Sequence, residues 1–318
     1  MHLIRGLADL NLPEGGCVAT IGNFDGVHIG HCQVIERLAE AGRRLELPVV
    51  VVLFEPQPRE YFFPNEAPAR LTRLREKLAR LAQLPVDQVL LLRFTRGLAD
   101  LPAESFIQKI LLQGLRIKHL VVGDDFRFGK NRLGNFSLLR QAGREFGFAV
   151  VDTPSVLVDG RRVSSTLIRK ALEAGDFARA GRLLGRPYSV CGRVIHGAKR
   201  GRTLGFPTAN ILMRRKNTPV QGVFAVTMCG IGDHPLPGVA NVGIRPTVAG
   251  GRTVLLETYL LDFSGDLYGK QVEIVFHRKL RDEKRFNGLA ELQVQIQRDV
   301  MTARGYFATS NSTPSSGS

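Results

Sequence analysis

Gly22-Asn23-Phe24-Asp25-Gly26-Val27-His28-Ile29-Gly30-His31 joins an apolar run to an amphipathic one. Val18 to Ile21 have the make-up of a short buried strand. Val34, Ile35, Leu38, Ala39 and Leu45 recur at helical spacing and predict a helix beginning near Gly30. A strand, a glycine-rich turn and a helix start, in that order, aim backbone N–H groups and the positive end of the helix dipole into the turn, which suits a phosphate. Glycines at 22, 26 and 30 let the backbone come close to such an anion. His28 and His31 are three residues apart, so they project from one side of the first helical turn. The same pair would also serve as a capping pair without chemistry, or as half of a zinc site for which the neighbouring sequence offers mainly Asp25.

Outward from this turn, strand and helix patterns alternate. Residues 48–54 are a valine-rich run that marks a strand buried on both faces, stopped by Glu55-Pro56-Gln57-Pro58. Leu71, Leu74, Leu78 and Leu81 predict an amphipathic helix, and residues 88–94 another buried strand. A helix over 103–113, a strand over 119–123, a helix over 137–146 and a strand over 148–151 follow. The exit of the 119–123 strand, Gly123-Asp124-Asp125-Phe126-Arg127-Phe128-Gly129, is at once polar, aromatic and cationic. Such alternation implies a Rossmann-like parallel sheet with right-handed crossovers, whose ligands sit at the carboxyl ends of the strands. The turns at 22–31, 55–58 and 123–129 are therefore expected to converge on one crevice. Val163-Ser164-Ser165-Thr166-Leu167-Ile168-Arg169 is a second candidate anion site, with hydroxyls ahead of a helix and an arginine about one turn inside it. Ser164 or Ser165 as a plain N-cap is the alternative. Two short helices, 166–173 and 177–184, come next.

From Tyr188 the texture changes to strands separated by glycine-rich turns, at 188–195, 223–228, 254–261 and 271–278, which suggests an antiparallel barrel or sandwich. One amphipathic helix over about 289–302 closes it. The end of the chain is small and polar from Thr309 and is expected to be disordered. At 318 residues the chain is too long for one ordinary core. The expected division is a first domain over 1–184, a second over 185–306 and a disordered polar tail over 307–318.

The 44% apolar content is ordinary for a globular protein, no run reaches transmembrane length, and Met1-His2-Leu3-Ile4-Arg5 does not open a signal peptide, so a cytoplasmic protein without membrane partners is expected. Cys17, Cys32, Cys191 and Cys229 form no C-x-x-C pair and suggest neither a disulfide framework nor a thiolate zinc site. The net charge of +15 favours an anionic partner, whether nucleic acid, membrane or phosphorylated small molecule. A base-stacking platform is disfavoured because aromatics are 7% of the chain, tryptophan is absent, and no aromatic strand pair is clustered in the second half.

Two ordered motif sets narrow the choice. Gly22 to His31 resembles the H-x-G-H turn of the nucleotidylyltransferase superfamily, and Ser164-Ser165-Thr166-Leu167-Ile168-Arg169 resembles its downstream S-S-T-x-x-R signature. In the second half, Gly192-Arg193-Val194-Ile195-His196-Gly197 leads through Gly201-Arg202-Thr203-Leu204-Gly205-Phe206 into Pro207-Thr208-Ala209-Asn210, similar to the P-T-A-N signature of riboflavin kinases. Asn241-Val242-Gly243-Ile244-Arg245-Pro246-Thr247 and Glu257-Thr258-Tyr259-Leu260-Leu261-Asp262-Phe263 extend the likeness in order. Residues 15–305 thus resemble the bacterial bifunctional riboflavin kinase/FMN adenylyltransferase, or FAD synthetase, family.

The resemblance implies a nucleotidylyltransferase-type α/β domain followed by a mainly antiparallel β-barrel closed by a helix. It implies riboflavin, FMN and ATP as substrates, Mg²⁺ as cofactor, and no nucleic acid. In the first domain the FMN phosphate would attack the α-phosphorus of ATP as pyrophosphate leaves, and fixed donors are the main catalytic resource for such a transfer. His28 and His31 would hold and polarise the triphosphate, with Gly22, Asn23, Phe24, Asp25 and Gly30 lining ATP and Ser164, Ser165, Thr166 and Arg169 closing on it. Asp125, Phe126 and Arg127 would meet the flavin or its phosphate. Many relatives carry His where this chain has Gln57, so that loop is assigned to the pocket with no catalytic role for Gln57. In the second domain Glu257 would be the base for the riboflavin hydroxyl, since alternation puts it on one face with Leu255, Tyr259 and Leu261, read as the inward face. Thr208 and Asn210, two apart on an extended segment, share a face as two oxygen ligands of one Mg²⁺ require. Gly197, Lys199, Gly201 and Arg202 would form a cationic flap over the ATP phosphates, and Arg285 would border the flavin.

Overall fold

The computed structural model describes residues 1–123, 125–196, 205–213, 215, 217–246 and 252–311. Packing divides the chain into two compact units, Met1–Pro68 with Arg73–Ser164, and Ala69–Thr72 with the chain from Ser165 onward.

In the first unit the elements follow as β1 (His2–Arg5), β2 (Cys17–Ile21), α1 (Ile29–Leu45), β3 (Val49–Glu55), α2 (Pro58–Phe62), α3 (Leu74–Leu81), β4 (Gln88–Arg93), α4 (Arg96–Ala99) and α5 (Ala103–Phe106). A π-helical stretch, Ile107–Gly114, continues α5, and β5 (Ile117–Val122), α6 (Phe136–Phe146), β6 (Ala149–Asp152) and a small hairpin of β7 (Leu157–Val158) and β8 (Arg161–Arg162) complete the unit. The sheet is parallel, in the order β1-β4-β3-β2-β5-β6. Strand β3 explains its own valine run: Val50 and Val52 pack into one core with Phe106 and Leu111, while Val51 and Leu53 pack on the other face with Ile35 and Leu81. At full burial each such side chain contributes about 1.5–3 kcal/mol. The chain moves outward from β2 through β3 to β4 and then returns to put β5 on the other side of β2. The strand order therefore reverses at β2/β5, the position at which open α/β sheets bind ligands at the carboxyl ends of their strands.

The second unit begins with α7 (Ser165–Glu173) and α8 (Phe177–Leu184). Six strands follow, β9 (Ser189–Ile195), β10 (Thr208–Leu212), β11 (Gly222–Cys229), β12 (Leu236–Pro246), β13 (Arg252–Leu260) and β14 (Gln271–Arg281), and then α9 (Leu289–Asn311). The strands close in the order β10-β13-β12-β11-β14-β9, each pair antiparallel, which settles barrel over sandwich. Its interior holds Val190, Ile211, Phe224, Val242, Leu256 and Phe276 among others. Phe177 of α8 stacks on Phe276 at 5.9 Å and meets Phe224 edge-on at 5.6 Å. Outside the barrel, Val223, Ala225 and Val239 are covered by Val300 and Ala303 of α9.

Several elements depart from the sequence reading. Strands β1, β7, β8 and β12 are absent from the sequence reading, and β10 enters it only as an extended segment holding Thr208 and Asn210: β1 has only four residues, and β12 carries Pro237, Gly238 and Gly243, which read as turn. Leu71 lies outside the helix predicted to include it, because α3 starts at Leu74 and Leu71 belongs to the segment packed with the second unit. Helix α9 runs to Asn311, past the expected end at 302 and into the segment read as tail, with Thr309 Oγ1 donating to the carbonyls of Gly305 and Tyr306. The cysteines are free thiols, and burial pushes the Cys17 thiol up to about 12 while it donates to the Leu115 carbonyl.

Candidate active sites

In the first unit, β2 ends at Ile21 and α1 starts at Ile29, so the intervening turn sits at the β2/β5 reversal. The turn is wound through positive φ at Phe24 (46°), Gly26 (89°) and Val27 (41°). Phe24 and Val27 point into the core beside Leu74, Leu78 and Leu81, which holds this backbone in place. His28 is the N-cap of α1: its Nδ1 accepts from the His31 N–H at 3.3 Å, and His31 Nδ1 accepts from the His28 N–H at 3.3 Å. The two rings stack with centroids 3.5 Å apart. Because both Nδ1 atoms accept, the neutral rings carry their protons on Nε2, giving two parallel N–H donors at a helix N-terminus. The N–H groups of Ile29 and Gly30, at the first helical positions, have no intrahelical acceptor. Gly30 lies close under the stack, since a Cβ there would sit 3.3 Å from His28 Cε1 and Nδ1 and the ring would have to yield by a few tenths of an ångström.

The loop leaving β5 occupies the other side of the reversal. Asp125 is exposed and pairs with Arg162 of β8 at 3.3 Å, Arg127 is exposed, and Phe126 stacks on the buried Phe128 at 5.7 Å. Two features here were not singled out in the sequence. One is the Arg162 guanidinium, and the other is an aromatic surface at the end of β3, where Tyr61 and Phe62 of α2 meet Phe94 at 5.3 and 5.7 Å with Phe62 more than half exposed. An exposed Phe-Tyr pair three residues after a strand stop was the available signal. Gln57, just before α2, is buried and its Nε2 has no hydrogen-bond partner among the described residues.

The serine-rich motif straddles the two units. Ser164 ends the first, while Ser165, Thr166 and Arg169 are carried by α7 of the second. Arg169 Nε donates to the Ala69 carbonyl at 2.6 Å, within the second unit.

In the barrel, register brings the polar residues into one row, with Asn210 opposite Glu257 and Glu257 opposite Asn241. Thr208 opposes Tyr259 on the same face. Glu257 does share a face with Leu255 and Tyr259, but that face is the outside of the barrel, because Val254, Leu256, Thr258 and Leu260 fill the interior. The expectation of an inward carboxylate is therefore corrected. Both faces of β13 are apolar, since Phe206 and residues of α9 pack around Tyr259 outside, so alternation alone could not tell inside from outside. Asn241, quoted in the sequence only within the 241–247 stretch, has no role assigned there, because β12 does not read as a strand that would set it beside Glu257.

Thr208, Asn210 and Glu257 offer a hydroxyl, an amide oxygen and a carboxylate on one surface. Among the described residues no three His, Cys, Asp or Glu side chains cluster into a caged metal site. A few hard oxygen donors beside a substrate phosphate are what Mg²⁺ takes, because it keeps several waters and phosphate oxygens in its shell, so the residues fit that ion. Gly197, Lys199, Gly201 and Arg202 lie outside the described residues, as does Asp124. Arg285 is exposed, and its neighbour Phe286 lies beneath Lys284 at 5.0 Å and Arg281 at 5.7 Å.

Comparison with known proteins gives two family matches, FAD synthetase over residues 11–167 and riboflavin kinase over residues 184–307. The bifunctional riboflavin kinase/FMN adenylyltransferase of Escherichia coli K12 is 54% identical over 96% of this chain and 98% of its own length. That of Pseudomonas fluorescens is 50% identical over 98% and 99%. A solved structure of a macrolide-efflux protein from Streptococcus pneumoniae aligns with a TM-score of 0.78 at 28% identity, over 96% of this chain and 99% of that one. Among the described residues of this chain no helix is long and apolar enough to cross a membrane.

Proposed function

The chain belongs to the bifunctional riboflavin kinase/FMN adenylyltransferase family, and from that premise we propose how its residues divide two ATP-dependent reactions. Its riboflavin kinase part phosphorylates riboflavin to FMN, and its FAD synthetase part adenylylates FMN to FAD with release of pyrophosphate. We assign adenylylation to residues 1–184 and phosphorylation to 185–306, in a cytoplasmic protein.

The observation that carries the first assignment is the mutually capped His28–His31 pair at the point where the strand order reverses. The two Nε2–H edges and the N-terminal amides of α1 face a triphosphate, and donors fixed in advance cost no reorganisation as charge grows on the pyrophosphate. Gly22, Asn23, Phe24, Asp25 and Gly30 shape this cradle, and Ser164, Ser165, Thr166 and Arg169 supply further contacts to ATP. The FMN phosphate oxygen attacks the α-phosphorus directly, and the bond to the β-phosphate oxygen breaks. Asp125, Phe126 and Arg127 receive the flavin, and the Tyr61/Phe62 surface offers its planar ring a second aromatic face.

In the barrel, Glu257 takes the proton of the riboflavin 5′-hydroxyl as that oxygen attacks the γ-phosphorus of ATP. Thr208 and Asn210 hold Mg²⁺, which when bound neutralises charge on the transferred phosphate. Gly197, Lys199, Gly201 and Arg202 cover the phosphates, and Arg285 borders the flavin. Incubation of the purified chain with riboflavin, ATP and Mg²⁺, followed by chromatography of the flavins, is expected to show FMN and then FAD. Absence of both products refutes the reading.

A further inference from the structure

Lys77 of α3 is among the largest fully buried side chains of the described residues, 1% exposed, yet it ends in an ammonium. That ammonium donates to the carbonyl of Asn23 at 2.5 Å. Asn23 is itself on the surface, so the lysine reaches it from beneath the turn rather than from solvent. A cation taken out of water is retained only where close polar contacts compensate it. Neither the sheet nor α3 needs one at this place, since its neighbours Leu74, Leu78 and Leu81 already pack α3 against Phe24 and Val27.

The bond falls on the peptide that joins Asn23 to Phe24, the first residue of the turn with positive φ. From there a chain of contacts leads to the imidazoles. The Phe24 ring fits against Gly22, where a Cβ would approach it to 3.2 Å, and lies 4.9 Å from the His31 ring, which stacks on His28. Fixing the Asn23 carbonyl thus fixes the Phe24 ring and, through it, the two histidines. The buried charge also adds positive potential behind a turn whose helix dipole already favours an anion.

We propose that Lys77 is a positioning residue for adenylyl transfer, anchoring the Asn23–Phe24 peptide so that His28 and His31 meet the ATP triphosphate. The proposal rests on the assignment of that triphosphate to the histidine pair. Its test is steady-state kinetics of the full-length Lys77→Met variant, with FAD formation from FMN measured beside FMN formation from riboflavin. A hydrogen bond to a charged group sets the scale, about 10- to 100-fold. The loss should appear in kcat/KM for ATP in FAD formation, with the KM for FMN and the kinase reaction unchanged. A purely structural lysine would lower thermal stability and leave the KM for ATP alone, and that result overturns the proposal. So does a loss shared equally by both reactions in folded protein. If Lys77→Met abolishes folding of the first unit, seen as lost hydrogen-exchange protection in β2 and β3, Lys77→Gln decides. Its amide is uncharged and one atom shorter, so it cannot hold the Asn23 carbonyl as the ammonium does, and it should show the selective rise in KM for ATP, whereas native kinetics with Lys77→Gln counts against the proposal. His28→Ala in the same assay separates the two levels. Impaired His28→Ala beside normal Lys77 variants refutes this proposal alone, and a normal His28→Ala removes the underlying assignment and the proposal with it.

Discussion

The rings of His28 and His31 lie 3.5 Å apart and 14° from parallel, and each residue's Nδ1 accepts the other's backbone N–H. The capping pair is thus observed, and on the proposed assignment the same arrangement serves the phosphate, so the two readings that the sequence leaves as alternatives are compatible. Capping uses one edge of each ring and turns the opposite edge into a donor. A catalytic pair would otherwise need supports from elsewhere in the fold, and here each histidine supports its partner.

Gly30→Ala tests how tightly that stack is held. The new methyl would lie 3.3 Å from the His28 ring and force it aside by a few tenths of an ångström. Alanine also favours the helix. FAD formation should fall about tenfold, a small misplacement at a reacting centre having effects of that order, while the melting temperature stays level or rises. Unchanged adenylylation would show that the stack has no role in the rate.

Asn210→Ala tests the metal assignment without removing the base. Asn210 is 7% exposed and sits opposite Glu257. The Mg²⁺ concentration that half-activates FMN formation should rise about tenfold on loss of an oxygen ligand. The Mg²⁺ dependence of FAD formation from supplied FMN should stay where it is.

The long closing helix gives a stability prediction. Arg281 of β14 holds Asp299 of α9 through Nε at 3.0 Å and Nη2 at 2.8 Å, with side chains 21% and 7% exposed. Breaking one side of such a buried pair costs about 3 kcal/mol. Asp299→Asn should lower the urea midpoint of the barrel by a corresponding amount, measured through loss of FMN formation and of β-sheet circular dichroism.

Two histidines make stability fall on the acid side. Burial holds His277, bonded to Thr227 Oγ1 at 3.0 Å, below the ordinary imidazole range, and burial followed by the nearby Arg44 charge does the same for His119. With folded values depressed, the unfolded chain binds protons first as pH drops below about 6.5, the unperturbed value. Stability should be level above neutrality and decline from about pH 6.5 downward, and His277→Gln should flatten that decline for the barrel. A midpoint that does not move between pH 8 and pH 5 contradicts this.

The long apolar runs were the most legible part of the fold. Residues 49–55 are buried on both faces, so composition alone identifies β3, and the glycine-rich turn between β2 and α1 announces itself through three glycines and two histidines. Less legible was whatever depends on distant partners. Strand β1 exists because β4 offers it an edge, and β12 keeps two prolines and two glycines because β11 and β13 flank it. Glu257 was legible as a residue and misleading as a direction, since covering by α9 makes the outer face of the barrel look like its inside. Lys77 carries no motif at all. Its importance appears only when the turn it supports is seen from below.

The division of labour between two sites is the central claim, and it is tested most directly by comparing two variants of the full chain in both reactions. His28→Ala combined with His31→Ala should lower FAD formation from FMN by about 100- to 1,000-fold, the loss typical of removed fixed donors, with FMN formation from riboflavin intact. Glu257→Gln should reverse the pattern, lowering FMN formation by about 100-fold or more while FAD formation from supplied FMN continues at the native rate. Both variants impairing both reactions, or neither separating them, would contradict the account.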